Sequence, residues 1–167
     1  MKTKKLYLLF GLPLIAFNVS VMALQDEKIY PGALCQPETN TQSILRNIKG
    51  MMFNTGTEPQ NWVCPIVRDQ PGSIASAAIV VRDKNGTAGG PNADVSCTLF
   101  SRTPTGGSVD SSAPQGTTGD PGTVTLEYGN INSQMGDGHY YFGCTIPGTF
   151  EGRRSGVIEY RIKELSG

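Results

Sequence analysis

The sequence has one histidine, His139, in 167 residues. Any metal centre or catalytic triad that needs two imidazoles is therefore excluded. Charge is scarce as well: 17% of residues are charged, and 14 basic side chains balance 14 acidic ones. An electrostatic nucleic-acid binder needs clustered Lys and Arg to displace counterions, so that class is set aside. There is no G-x-S-x-G elbow to strain a nucleophilic serine, and no segment keeps a long 3.6-residue apolar period. Low charge with 38% hydrophobic residues also excludes a disordered chain. The length suits one domain with its own core.

The first residues read as an export signal. Lys2, Lys4 and Lys5 form a short basic region, followed by the apolar run Leu6 to Ala16. Val21 and Ala23 give the small-x-small pattern that a signal peptidase reads, which places cleavage after Ala23. The competing reading is an uncleaved anchor, since Leu6 to Leu24 is uncharged, but Pro13 and Asn18 weaken it as a membrane helix. Lipid attachment needs a Cys at the cleavage point, and the first is Cys35. Residues 1–23 hold three Lys and no acids, so the remaining 24–167 carry 11 basic against 14 acidic side chains, a net of −3. The expectation is a signal peptide over 1–23 and a single exported domain over 24–167, secreted or periplasmic, with no membrane span after cleavage.

All four cysteines, Cys35, Cys64, Cys97 and Cys144, fall in that domain. An even count in an exported chain implies two disulfides, and four cysteines allow three connectivities. No pair has the short spacing of zinc motifs. Pairing neighbours in sequence, Cys35 with Cys64 and Cys97 with Cys144, is favoured because it staples the two halves separately.

The rest alternates between strands and turns. Val95, Cys97 and Leu99 face one way, as do Val124, Leu126 and Tyr128, and again Tyr140, Phe142, Cys144 and Ile146. Gly156 to Lys163 forms a last strand, with Ile158, Tyr160 and Ile162 on one side. Further strands are expected at Ala33 to Gln36, Gly50 to Asn54, Asn61 to Val67, Ile74 to Arg82 and, weakly, Ser108 to Ser112. Thr41 to Lys49 is the one stretch that reads as a helical turn. Thr103 to Gly122, rich in Gly, Ser, Thr and Pro, is either a long exposed loop or a weak hairpin arm. Eight or nine short strands predict an all-β, antiparallel β-sandwich. An immunoglobulin domain places its Trp between bridged cysteines, whereas Trp62 lies two residues before Cys64 and none lies between Cys97 and Cys144. A jelly-roll-like or other non-immunoglobulin sandwich is the expectation.

Four sets of residues carry candidate chemistry. Trp62, Tyr141 and Phe100 offer rings that stack on sugars, and His139, two residues before Tyr141, reads as a general base or a sugar-contacting side chain; Trp62 also reads as core, and His139 as a surface residue. Asp83, Asn85, Asn92 and Asp94 flank a Gly-rich loop and supply the oxygens that calcium prefers, or else plain turn chemistry. Glu127 and Glu159, among the acids Asp94, Asp110, Asp120, Asp137 and Glu151, are outward strand positions that a carboxylate-dependent hydrolase would bring together. Asn85-Gly86-Thr87 is a glycosylation sequon.

Four phrases are distinctive together: Tyr30-Pro31-Gly32-Ala33-Leu34-Cys35-Gln36, Trp62-Val63-Cys64-Pro65-Ile66-Val67-Arg68-Asp69, Ser96-Cys97-Thr98-Leu99-Phe100 and Tyr141-Phe142-Gly143-Cys144-Thr145-Ile146-Pro147-Gly148. In them, from about Tyr30 to Lys163, the chain resembles a group of exported bacterial four-cysteine proteins with no assigned activity. The resemblance implies a bacterial, exported sandwich and carries over no catalytic or binding residue.

The sequence thus favours a non-catalytic binding or surface-structural module whose partner is a glycan, an envelope component or a protein. One alternative is a secreted glycan hydrolase working through carboxylates. The other is an exported inhibitor or immunity-type protein that inserts Thr103 to Gly122 into a partner.

Overall fold

A computed structural model describes residues 25–39, 44–46, 49–69, 73–85, 94–119, 121–131 and 138–165. The expected signal peptide over 1–23 and Asn92 lie outside them. The described residues form two antiparallel sheets and one 3₁₀ turn, Gly32–Leu34. The strands are β1 (Gln25–Pro31), β2 (Gln36–Pro37), β3 (Ile44–Arg46), β4 (Met52–Asn54), β5 (Gln60–Ile66) and β6 (Ile74–Asp83). They continue with β7 (Ser96–Arg102), β8 (Ser108–Ser111), β9 (Gln115–Gly116), β10 (Gly122–Tyr128), β11 (His139–Ile146) and β12 (Gly156–Leu165). The first sheet runs β10-β6-β12-β4-β3, with β1 also on β12, and the second runs β2-β5-β11-β7-β8, with β9 also on β7. The expected all-β sandwich is present, and two- and three-residue strands raise the count above nine.

The alternating side chains meet between the sheets. Trp62, Cys64, Leu99, Tyr140, Phe142 and Ile146 from the second sheet pack on Ile74, Ile79, Val81, Val157, Tyr160 and Ile162 from the first. Phe142 meets Tyr160 edge-on at 6.0 Å. The tyrosines of the first sheet also span the core by their hydroxyls: Tyr128 Oη donates to Cys97 O at 2.8 Å and Tyr160 Oη to Pro65 O at 2.6 Å. Burial holds both phenols well above the usual tyrosine range.

Both disulfides form as favoured, Cys35–Cys64 and Cys97–Cys144. They do not staple separate halves, because both belong to the second sheet. Cys97 and Cys144 are directly opposite on β7 and β11, and Cys35 stands at the head of β2 beside Cys64 of β5. Opposed positions bring the Cα atoms to 4.1 and 4.0 Å.

Three local expectations change. Residues 44–46, within the supposed helical turn, pair with β4 as a strand. Ala33 and Leu34 lie in the 3₁₀ turn, leaving Gln36–Pro37 as the strand. A bulge between Val157 and Glu159 lets Val157 enter the core alongside Tyr160.

Candidate functional site

Because Tyr140, Phe142, Cys144 and Ile146 fill the core, the residues between them on β11, His139, Tyr141, Gly143 and Thr145, form the outer face of the second sheet. On β7 the same logic turns Ser96, Thr98, Phe100 and Arg102 outward. Register then sets Tyr141 opposite Phe100 and His139 opposite Arg102, while Pro65 of β5 flanks Tyr141 on its other side. The rings of Phe100 and Tyr141 stack at 5.1 Å and 24°. His139 stacks on Tyr141 at 6.3 Å. The Arg102 guanidinium lies 5.0 Å from the Phe100 centroid, and its Nε donates to Tyr141 Oη at 3.3 Å.

The result is a platform of rings on a rigid, disulfide-bonded sheet. Rings in this arrangement are able to stack on an apolar ligand face, and a phenol, imidazole and guanidinium are able to hydrogen-bond polar edges beside it. Tyr141, Phe100 and His139 were legible in the sequence. Arg102 was not, since only the β7–β11 register shows that it closes the patch.

Trp62 does not join them. It is 0% exposed in the core, facing away from Tyr141, because it shares the inward side of β5 with Cys64 and Ile66.

The first sheet also has an outer-face site, a cleft of about 360 Å³ lined by Glu27, Ser76, Ala78, Glu127, Arg161 and Lys163. Ser76 and Ala78 are small, which makes the hollow. The charges interleave, with Arg161 Nε 3.9 Å from Glu27 Oε1. Glu127 shares its row with Ala78 and Arg161, whereas Glu159 lies one row along, opposite Val80. The two acids expected of a hydrolase are thus two strand spacings and one row apart, roughly 12 Å at the backbone, with Arg161 in the row of Glu127.

Of the calcium set, Asp83, Asn85 and Asp94 are among the described residues, and these three do not form an open cage. Asp83 is 1% exposed, and its carboxylate accepts from Asn85 N at 3.0 Å, Ser155 Oγ at 3.1 Å, Val95 N at 3.3 Å and the Thr117 hydroxyl. Four donors occupy the lone-pair positions that an ion would need. Asn85 is buried with Nδ2 on Gly148 O at 2.7 Å, whereas Asp94 is exposed.

Another acidic group was not legible at all. Asp26, Asp69 and Glu164 converge, with carboxylate oxygens within 4.8 Å of one another. The Lys28 ammonium sits among them, bonded to Asp69 and Glu164 and 3.3 Å from Asp26, while Arg68 Nε bonds Glu164 at 2.7 Å. Burial alone would lower the Lys28 pKa, but the three carboxylates outweigh it and raise it. The cluster joins β1 and β12 of one sheet to the residues after β5 of the other.

Parts of the stretch expected to insert into a partner are bonded to β7. Ser112 N donates to Leu99 O and Thr117 N to Val95 O, both at 2.9 Å, so β8 and β9 lie along β7. Among the described residues no helix is long and apolar enough to cross a membrane.

No protein-family model matches the chain, and no curated protein sequence matches it. Solved structures do match in fold. A xylan-binding module, CBM15, superposes with a TM-score of 0.57 at 15% identity, over 85% of this chain and 98% of that one. The low-affinity xylan-binding module CBM86 of the xylanolytic gut symbiont Roseburia intestinalis gives a TM-score of 0.50 at 10% identity, over 84% and 96%. At these identities the likeness is one of fold: the chain folds as a β-sandwich of the kind seen in those modules.

Proposed function

We propose that the protein is an exported, non-catalytic glycan-binding module whose ligand stacks on Tyr141 and Phe100. One observation carries this reading: the cross-strand ring pair, flanked by His139 and Arg102, on the outside of a cross-linked sheet. The fold shared with two xylan-binding modules makes xylan the first polymer to try. Export is supported by the two disulfides and by the signal-like order of residues 1–23. Cleavage after Ala23 would leave Leu24 just ahead of β1.

The test is affinity electrophoresis and calorimetry with soluble xylan and xylo-oligosaccharides, using the wild type and Tyr141→Ala. Retention of the wild type, weakened about tenfold in the variant, is expected for the loss of one stacking ring. Equal retention of both proteins, or none of either across a panel of envelope and plant glycans, would falsify the proposal. Mass spectrometry of the exported protein checks the cleavage site.

A further inference from the structure

Arg102 gives the platform something a neutral sugar does not require, a fixed positive charge. The guanidinium lies over Phe100 at 5.0 Å, comes within 5.9 Å of the Tyr141 centroid, and is anchored through Nε to Tyr141 Oη. These contacts use its flat face and one nitrogen. They leave the terminal Nη1 and Nη2 edge outside the bonding. Among the described residues, the arginines paired with acids are Arg68, Arg153 and Arg161, not Arg102.

Among the described residues, the positions that register sets beside the patch carry no acid. The neighbours that register gives the patch are Pro65 on β5 and Ser108 and Ser111 on β8. The acid of β8, Asp110, is in register with Ser101 and not with Arg102, and its Oδ1 accepts from Ser111 N at 2.8 Å. The cleft on the first sheet is different, because Glu27 and Glu127 stand among its cations. An arginine immobilised by ring faces has already given up much of its rotamer freedom, and its outer edge is a fork that matches a carboxylate.

We infer that the platform takes a carboxylate-bearing glycan, with a sugar ring stacked on Tyr141 and a uronic acid carboxylate on the Arg102 Nη edge. This rests on the glycan-binding reading above and narrows its ligand class.

The full oxidised chain is titrated with xylotetraose, with the same tetraose bearing one glucuronic acid, and with the carboxyl-reduced form of that branched sugar. The acidic sugar is expected to bind about tenfold more tightly than the other two, ~1.4 kcal/mol, with the difference shrinking at high salt. In Arg102→Gln the acidic and neutral sugars bind equally, so the preference is lost, and an unchanged Tm shows that the variant is folded. Equal affinity of the wild type for all three sugars overturns the inference and leaves glycan binding standing. Binding of none overturns both. Free glucuronate and inorganic phosphate are run alongside. If either binds as tightly as the acidic tetraose, the patch is a simple anion site and the inference also falls.

Discussion

Gly143 lies beneath the Phe100 ring: a Cβ built on it would stand 2.8 Å from Phe100 Cε2 and 3.7 Å from Tyr141 Cε2. The missing side chain on β11 is what lets both rings settle against the sheet. Gly143→Ala should therefore tilt Phe100 at little cost to the fold, since the contact is with the tip of a side chain. Expected outcomes are a Tm within a few degrees of wild type and glycan affinity reduced about tenfold. Thermal unfolding beside calorimetry checks both.

Trp62 gives the opposite pattern. Trp62→Ala opens a cavity in a fully buried position and should cost about 3–5 kcal/mol. Denaturant unfolding measures the loss. Wherever the variant remains folded, its glycan affinity should match wild type, because the indole faces away from the platform.

The two disulfides differ in what they support. Removing Cys97–Cys144, by replacing both with alanine, takes the bond from between the strands that carry Phe100, Arg102, His139 and Tyr141. It should cost about 2–5 kcal/mol and also weaken sugar binding. Removing Cys35–Cys64 should cost a similar amount and spare the affinity. The pair of double variants, compared by unfolding and by titration, separates fold from site.

Chelation is expected to do nothing. With four donors on Asp83, the loop end is held by hydrogen bonds, so EDTA and added calcium should leave Tm unchanged. Asp83→Ala, by contrast, strands buried donors and should destabilise by about 3 kcal/mol or more. A calcium-dependent Tm in the wild type would overturn this account.

Lys28→Met tests the charge cluster by its pH dependence. The Lys28 bond holds the Asp69 carboxyl below the usual carboxylate range. That contribution is present above the ordinary carboxylate value and disappears as pH falls through the folded value. For Lys28, burial lowers the pKa but the bonds to Asp69, Glu164 and Asp26 raise it overall. Its contribution therefore persists through neutral pH and is lost only in strong alkali. The variant should be several degrees less stable at pH 7, and the two Tm curves should converge below about pH 4.

Strands with one apolar face were legible in the sequence: β5, β6 and β12 fall within a residue or two of their expected bounds, and β7, β10 and β11 form where the alternating apolar residues stand. β1 was not legible, because Lys28 and the exposed Asp26, on the same side of the strand as Tyr30, are charged and pair with other charges, so no apolar alternation shows. Short β3 and β9 have too few residues to carry a period. Tyr141, Phe100 and His139 stood out by residue type alone. Arg102 and Gly143 belong to the site only through β7–β11 register, a pairing across about forty residues that no local pattern encodes.

That neither disulfide bridges the core has a consequence for how the chain assembles. Oxidised but unfolded, the chain still holds β7 against β11 and the head of β2 against β5, so the slow search for distant partners in the second sheet is already shortened. The first sheet, with β6, β10 and β12 drawn from far apart, has no such head start. Refolding from denaturant with the bonds intact should raise the ring-bearing sheet first and let the other condense upon it.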